Sequence, residues 1–257
     1  MRAESAYTGA PSARPAQLRP LRVLAVAGHL AWGLAAAALI FPFVPDNARL
    51  RLRRRWASSM LDAFGLELRL EGAAIGSGAL LAANHVSWLD VLVLASCAPA
   101  VFVAKSEVRC WPAIGWLAAR AGTVFLRRTS GRSLLQVKNR IAQLLLAGGA
   151  VAIFPEGTTS DGEGVLPFRS GLLQAAVDAG GDVQPIAIAY RDERGRSAAA
   201  AFVDGMTLWR SLLAVCRSGR ITARVVVETP LAAAGRTRKR LAREAREAVA
   251  ASLARRN

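Results

Sequence analysis

Apolar positions along the chain form short runs separated by stretches in which apolar residues recur at helical spacing. The short runs predict β-strands, since a strand buried on both faces reads as an almost uninterrupted apolar segment. They cover residues 79–83, 101–104, 123–126, 150–154, 183–190 and 221–228. Residues 66–71 instead alternate between apolar and polar, which predicts a half-buried strand. The helical spacing covers residues 86–96, 112–121, 131–147 and 169–179. Strands that alternate with helices predict an α/β fold, with a central, mostly parallel β-sheet flanked by helices.

The N-terminal part of the chain differs from the rest. Residues 1–20 are rich in Ala, Pro, Ser and Arg without periodicity, which predicts a disordered arm. Residues 23–44 then form a 22-residue apolar run, long enough to cross a hydrocarbon core. We predict a transmembrane or membrane-embedded helix at 21–45, a folded domain at 46–230 and a basic helix at 231–257. A cleaved signal peptide and a buried core helix are the alternatives for the apolar run.

Arginines cluster directly after this run, at positions 49, 51, 53, 54 and 55. The end of a membrane helix that is denser in arginine usually faces the cytoplasm. We therefore expect the folded domain on the cytoplasmic side of the inner membrane, with the cluster against anionic head groups. The basic segment at 231–257 carries an apolar stripe, which suits packing on the domain or resting on anionic lipid.

The net charge of +16 comes mostly from arginine and predicts affinity for an acidic partner. Phospholipid head groups, phosphate esters and nucleic acid all meet this requirement. No helix-turn-helix, RNP-like or zinc-finger motif supports a nucleic-acid partner. A non-catalytic basic module that binds membranes or nucleic acid is the alternative of another class. Cys97, Cys110 and Cys216 are widely spaced and predict neither a disulfide framework nor a metal site.

The candidate catalytic residues lie directly after the apolar run at 79–83. Asn84 and His85 follow the run at once, and Asp90 comes five residues after His85. On one regular helix the two side chains would point about 140° apart, too far to meet. If His85 lies on the turn before a helix and Asp90 in its first turns, the carboxylate can reach one imidazole nitrogen. That arrangement makes a general base. A helix cap formed by Asn84 and His85 is the alternative.

Polar residues follow three other predicted elements. Arg127 and Arg128 stand at the end of the run at 123–126, where guanidinium groups suit a phosphate, although solvated loop arginines explain them equally well. Arg169 opens the next predicted helix, whose free N–H groups also suit an anion.

The segment 154–162 follows the apolar run at 150–154 and has the sequence FPEGTTSDG. Glu156 offers an acceptor and Thr158 a hydroxyl group, while Gly157 lets the backbone approach a ligand closely. A polar turn without function is the alternative.

In order along the chain, these blocks resemble the four-block pattern of the glycerophospholipid acyltransferase family, whose best-known members are 1-acylglycerol-3-phosphate acyltransferases. The resemblance covers about residues 66–230. The fourth block departs from the pattern, because Ala187 stands where the family often has a second proline. The segments 157–162 and 183–190 also resemble bacterial enzymes that acylate lyso-ornithine lipid.

The resemblance implies an O-acyltransferase that moves a fatty acyl group from acyl-CoA or acyl carrier protein to a lysolipid hydroxyl. It favours 1-acylglycerol-3-phosphate as the acceptor, giving phosphatidic acid, with lyso-ornithine lipid as the alternative. Neither a cofactor beyond the co-substrate nor a metal is expected. His85 would act as the base and Asp90 would orient it. The residues expected to bind the acceptor are Arg127 (on the phosphate), Glu156, Gly157 and Thr158, with Arg128 and Arg169 added from their charge alone.

Overall fold

The computed structural model describes residues 19–127, 131–203 and 205–255. The predicted disordered arm at 1–20 lies outside this part of the chain, apart from Arg19 and Pro20, which begin the first helix.

Eight helices and nine strands are present within the described residues. The helices are α1 (Arg19–Leu39), α2 (Asp46–Phe64), α3 (Leu89–Cys97), α4 (Ile114–Arg120), α5 (Gly131–Leu146), α6 (Gln174–Ala179), α7 (Leu208–Arg217) and α8 (Arg238–Ala254), with short 3-10 helices at Phe41–Phe43 and Ser106–Cys110. The strands are β1 (Leu66–Gly72), β2 (Ala79–Ala83), β3 (Ala100–Lys105), β4 (Val124–Leu126), β5 (Ala150–Ile153), β6 (Asp182–Asp192), β7 (Gly195–Arg196), β8 (Ile221–Val227) and β9 (Leu231–Ala232).

The strands form one mixed sheet in the order β1-β8-β6-β2-β5-β3-β4, with β7 and β9 paired to β6. Neighbours run parallel along most of this path, and the β6–β8 pair is antiparallel. The predicted fold class is therefore confirmed. Strand β2 lies at the centre between β5 and β6, and all five of its residues are buried. Because β2, β5 and the end of β3 are parallel, their carboxyl ends meet at one edge of the sheet, where the site described below is built.

Helices cover both faces of the sheet. Helices α1, α2, α3 and α7 contribute to the hydrophobic core on one face. Helices α5, α6 and α8 contribute to the core on the other face. The apolar stripe of α8 is buried there, through Leu241 and Ala245, so this basic helix packs on the domain.

The sequence pattern did not predict two of the helices. Helix α2 contains the arginine cluster, and α7 lies between two predicted strands where no helix was expected. The Arg53 guanidinium donates to the Ala100 carbonyl at 2.9 Å, and Arg54 donates to the Ser96 carbonyl at 2.9 Å. Ser96 belongs to the last turn of α3, where a cation complements the helix dipole. Part of the cluster therefore joins α2 to α3 and β3, and its expected contact with anionic head groups stays a prediction.

Helix α1 lies along the domain on one side and is exposed on the other. The segment Pro20–Phe43, with a mean hydropathy of 2.0, passes the length and composition test for crossing a membrane. Its inward side chains include the buried Val26 and Ala37. The Trp56 indole N–H of α2 donates to the His29 carbonyl at 2.8 Å. The outward side chains are large and apolar: Leu24, Trp32, Leu39 and, after α1, Phe43 are between 60% and 85% exposed.

Candidate active site

His85 and Asp90 meet at the carboxyl end of β2. The imidazole Nδ1 lies 2.7 Å from Asp90 Oδ2. The segment between them is a turn, and α3 begins only at Leu89, three residues later than the sequence pattern predicted. The capping alternative is excluded, because α3 has Trp88 at its N-cap and no side-chain cap hydrogen bond. The Asn84 side chain instead accepts from the Ile188 N–H at 2.7 Å and donates to the Ile188 carbonyl at 2.9 Å, which joins the end of β2 to β6.

The Asp90 carboxylate is fully buried and accepts hydrogen bonds from four donors. Oδ2 accepts from His85 Nδ1 and from the backbone N–H groups of Val86 and Ser87, at 2.7 and 2.9 Å. Oδ1 accepts from the Tyr190 hydroxyl at 2.7 Å. Because Oδ2 is the acceptor for two backbone N–H groups as well, we assign His85 Nδ1 as the donor of the third hydrogen bond. Nε2 is then the imidazole nitrogen that can accept a proton.

Tyr190 is the residue of this site that the sequence analysis missed. It lies on β6, 100 residues from Asp90, and its side chain is buried. Burial, followed by the neighbouring Asp90 charge, raises the pKa of Tyr190 well above its ordinary value. The hydroxyl is therefore protonated near neutral pH and donates to Asp90. No spacing rule links the two positions, since their contact depends on the pairing of β6 with β2.

Glu156 also binds the turn that carries His85. Its Oε1 accepts from the His85 N–H at 2.9 Å and its Oε2 accepts from the Leu166 N–H at 3.3 Å. The residue is only 3% exposed, and burial raises the pKa of its carboxyl above the ordinary 4.5. Glu156 therefore contacts the backbone that carries the candidate base. The ring of Phe154 stacks on the imidazole with centroids 4.1 Å apart and fixes the ring plane.

The imidazole opens onto a cleft of about 920 Å³. Apolar side chains from α1, α2, α3, β3 and α7 make most of its wall, including Leu30, Met60, Leu92, Phe102 and Leu212. A polar strip formed by residues 157–161 borders the imidazole. An apolar cavity with a narrow polar border beside a base suits a long aliphatic substrate with a reactive polar group.

The structure places the predicted acceptor-binding residues in different surroundings. Glu156 is buried, accepts from two backbone N–H groups and does not line the cleft. Gly157 and Thr158 line the cleft beside His85, and Gly157 adopts a positive φ of 74° that makes the turn after β5 possible. Arg127 and Arg169 are exposed and lie outside the lining of the cleft, and Arg128 is outside the described residues. Among the described residues, no group of three or more His, Cys, Asp or Glu side chains could hold a metal ion.

Comparison with known proteins places this arrangement in a family. The model of the Acyltransferase family matches residues 65–189, which contain the turn, the base and the polar strip. The chain is 39% identical over 240 residues to the lyso-ornithine lipid O-acyltransferase of Pseudomonas aeruginosa, covering 92% of each protein. The chain belongs to the acyltransferase family and is an acyltransferase, as the motif resemblance implied.

Two further similarities complete the comparison. The chain is 41% identical over 158 residues to the 1-acyl-sn-glycerol-3-phosphate acyltransferase of Neisseria gonorrhoeae, covering 60% of this chain and 62% of that protein. The crystal structure of the 1-acyl-sn-glycerophosphate acyltransferase PlsC from Thermotoga maritima superposes with a TM-score of 0.63 at 21% identity, covering 92% of this chain and 97% of that chain. The latter shows the same fold.

Proposed function

We propose that the protein transfers a fatty acyl group from a thioester to the hydroxyl of a lysolipid, with His85 as the general base. The observation that carries the proposal is the position of the His85 imidazole. Its Nδ1 is hydrogen-bonded to a buried carboxylate, and its ring faces a largely apolar cleft. A lysolipid needs both features, because its tail requires an apolar wall and its hydroxyl requires a base.

The reaction needs one proton to move twice. Nε2 of His85 takes the proton of the acceptor hydroxyl while the oxygen attacks the thioester carbonyl. Asp90 stabilises the imidazolium through the 2.7 Å contact at Nδ1. When the tetrahedral intermediate collapses, the C–S bond breaks and the imidazolium returns the proton to the leaving thiolate. Base catalysis of this kind contributes on the order of 10²–10⁴-fold. Acyl-CoA and acyl carrier protein both provide such a thioester.

We propose lyso-ornithine lipid as the acceptor. The support is the extent of the similarity, since the lyso-ornithine lipid enzymes of Pseudomonas aeruginosa and Brucella abortus align with 92% of this chain, at 39% and 34% identity. The second candidate is 1-acylglycerol-3-phosphate, because the Neisseria gonorrhoeae enzyme is 41% identical over the shorter stretch that it shares with this chain.

We also propose that α1 embeds the protein in one leaflet of a membrane. Both ends of the helix contact the domain: Arg22 donates to the Ser218 carbonyl at 2.8 Å near its start, and Ala37 is buried near its end. These contacts favour a helix that stays against the domain over one that leaves it to cross the bilayer. Its exposed Leu24, Trp32 and Leu39 would instead enter the lipid, beside a cleft that α1 helps to line.

The test compares His85→Ala with His29→Ala, which removes the other histidine of the chain. Acyl transfer to lyso-ornithine lipid and to 1-acylglycerol-3-phosphate is measured in mixed micelles, with acyl-CoA and acyl carrier protein as donors. We expect His85→Ala to lose transfer at least 10²-fold while its far-UV circular dichroism is unchanged. His29→Ala should remain active, because His29 contacts the Ala25 carbonyl on α1, away from Asp90. Full activity of His85→Ala would exclude His85 as the base.

A further inference from the structure

The charged groups that line the cleft are few, and their signs are mixed. Among the described lining residues, the ionisable side chains are His85, Lys105 and Asp161. Lys105 is exposed at the end of β3, and Asp161 is exposed at the end of the polar strip. A phosphate monoester carries a charge of about −1.5 to −2 near neutral pH. Such a group would meet a carboxylate as well as an ammonium here, so this lining is poorly matched to it.

Asp161 is held close to the candidate base by its two neighbours. The Ser160 N–H donates to the His85 carbonyl at 2.8 Å. Gly162 faces Val86, where an added Cβ would lie 3.3 Å from the nearest side-chain atom. Asp161 therefore stands between two residues that contact the turn of His85.

The carboxylate itself is oriented. Asp161 Oδ1 accepts the N–H of Glu163 at 2.9 Å, which fixes the side chain at the border of the cleft. A carboxylate that is oriented and exposed at the border of the cleft attracts a cation, and it repels a phosphate that approaches the same place.

We propose that Asp161 binds the cationic group of the acceptor head and makes the enzyme selective for a zwitterionic amino-acid head over a phosphate head. The proposal rests on the lysolipid acyltransferase function proposed above. An ornithine head carries one ammonium and one carboxylate, which match the opposite charges of Asp161 and Lys105. The Asp161 carboxylate thus has two effects on selectivity, because it attracts the ammonium of one head group and repels the phosphate of the other.

The experiment uses Asp161→Asn, an isosteric change that keeps an oxygen for the Glu163 N–H. The acceptors are lyso-ornithine lipid, the same lipid acetylated on its side-chain amine, and 1-acylglycerol-3-phosphate. For the wild type we expect kcat/KM to be about tenfold higher for lyso-ornithine lipid than for the acetylated lipid. In Asp161→Asn this ratio should fall to about one, and relative activity on the phosphate acceptor should rise. Each ratio is taken within one preparation, so a partly unfolded sample does not alter it.

The matched control is Glu163→Gln, which removes the same charge two residues away. Glu163 pairs with Arg196 and does not line the cleft, so its ratios should equal those of the wild type. A wild-type preference that survives unchanged in Asp161→Asn, or that changes equally in Glu163→Gln, would overturn the proposal while leaving the acyltransferase function in place. Absence of transfer by the wild type to every lysolipid would instead refute the proposed function.

Discussion

Replacing Asp90 by asparagine tests the electrostatic part of the mechanism while it preserves shape. Asp90 Oδ2 accepts from three donors, so the amide oxygen must take that position. The amide N–H₂ then faces the buried Tyr190 hydroxyl, which loses the acceptor that Asp90 Oδ1 provided. The variant therefore keeps the His85 contact but loses the negative charge behind it.

Two magnitudes follow from this geometry. A charge pair about 4 Å apart at an effective dielectric constant near 20 is worth about 4 kcal/mol, which corresponds to about 10³-fold in rate. The unsatisfied Tyr190 hydroxyl costs about 1–3 kcal/mol of unfolding free energy. We therefore expect kcat to fall by about 10³ with a small change in KM, and the urea midpoint to decrease.

The assay is steady-state transfer to the acceptor lysolipid, with urea unfolding followed by tryptophan fluorescence. Asp62→Asn, an exposed aspartate of α2, is the control and should match the wild type in both measurements. A folded Asp90→Asn enzyme that keeps more than a tenth of the wild-type kcat would refute the reasoning, because the charge would then contribute little to the transition state.

Two further predictions concern the groups around this pair. Tyr190→Phe leaves Asp90 Oδ1 buried without its donor and should lower the unfolding free energy by about 1–3 kcal/mol, with a smaller loss of kcat than in Asp90→Asn, since the charge remains. An equal loss of kcat in both variants would contradict this order. Glu156 has a raised pKa in the folded state, so the folded protein binds more protons than the unfolded chain above pH 4.5. Its contribution to stability therefore declines as pH rises from 4.5 to the folded pKa. Glu156→Gln should flatten urea-unfolding stability across that window, and an unchanged slope would show that other groups cause it.

The sequence predicted most of the sheet because the central strands are buried on both faces. Strands β2 and β5 lie within one residue of the predicted runs, and all their residues are buried. Burial on both faces forces a continuous apolar composition, which is visible without any tertiary information. The acyltransferase motif was equally accessible, because His85 and Asp90 are close along the chain and their contact needs only a turn.

The helices at the edge of the cleft were harder to predict. In helix α2 arginines break the regular spacing of apolar residues that would predict a helix. Two of these arginines donate to carbonyl groups of α3 and β3. An arginine that joins two parts of a fold cannot be told from a solvated arginine, since the sequence does not show which carbonyls come near it.

The sequence by itself predicted seven of the nine strands of the described residues and the apolar N-terminal helix, and it marked His85 and Asp90 as a possible pair, with a helix cap as the alternative. Only the tertiary structure decided what surrounds that pair. Tyr190 reaches Asp90 across 100 residues because β6 lies beside β2, and Glu156 reaches the His85 N–H across 71 residues because β5 lies on the other side. Local spacing sets contacts within a turn, whereas contacts between distant segments depend on strand order, which the packing of the whole sheet selects.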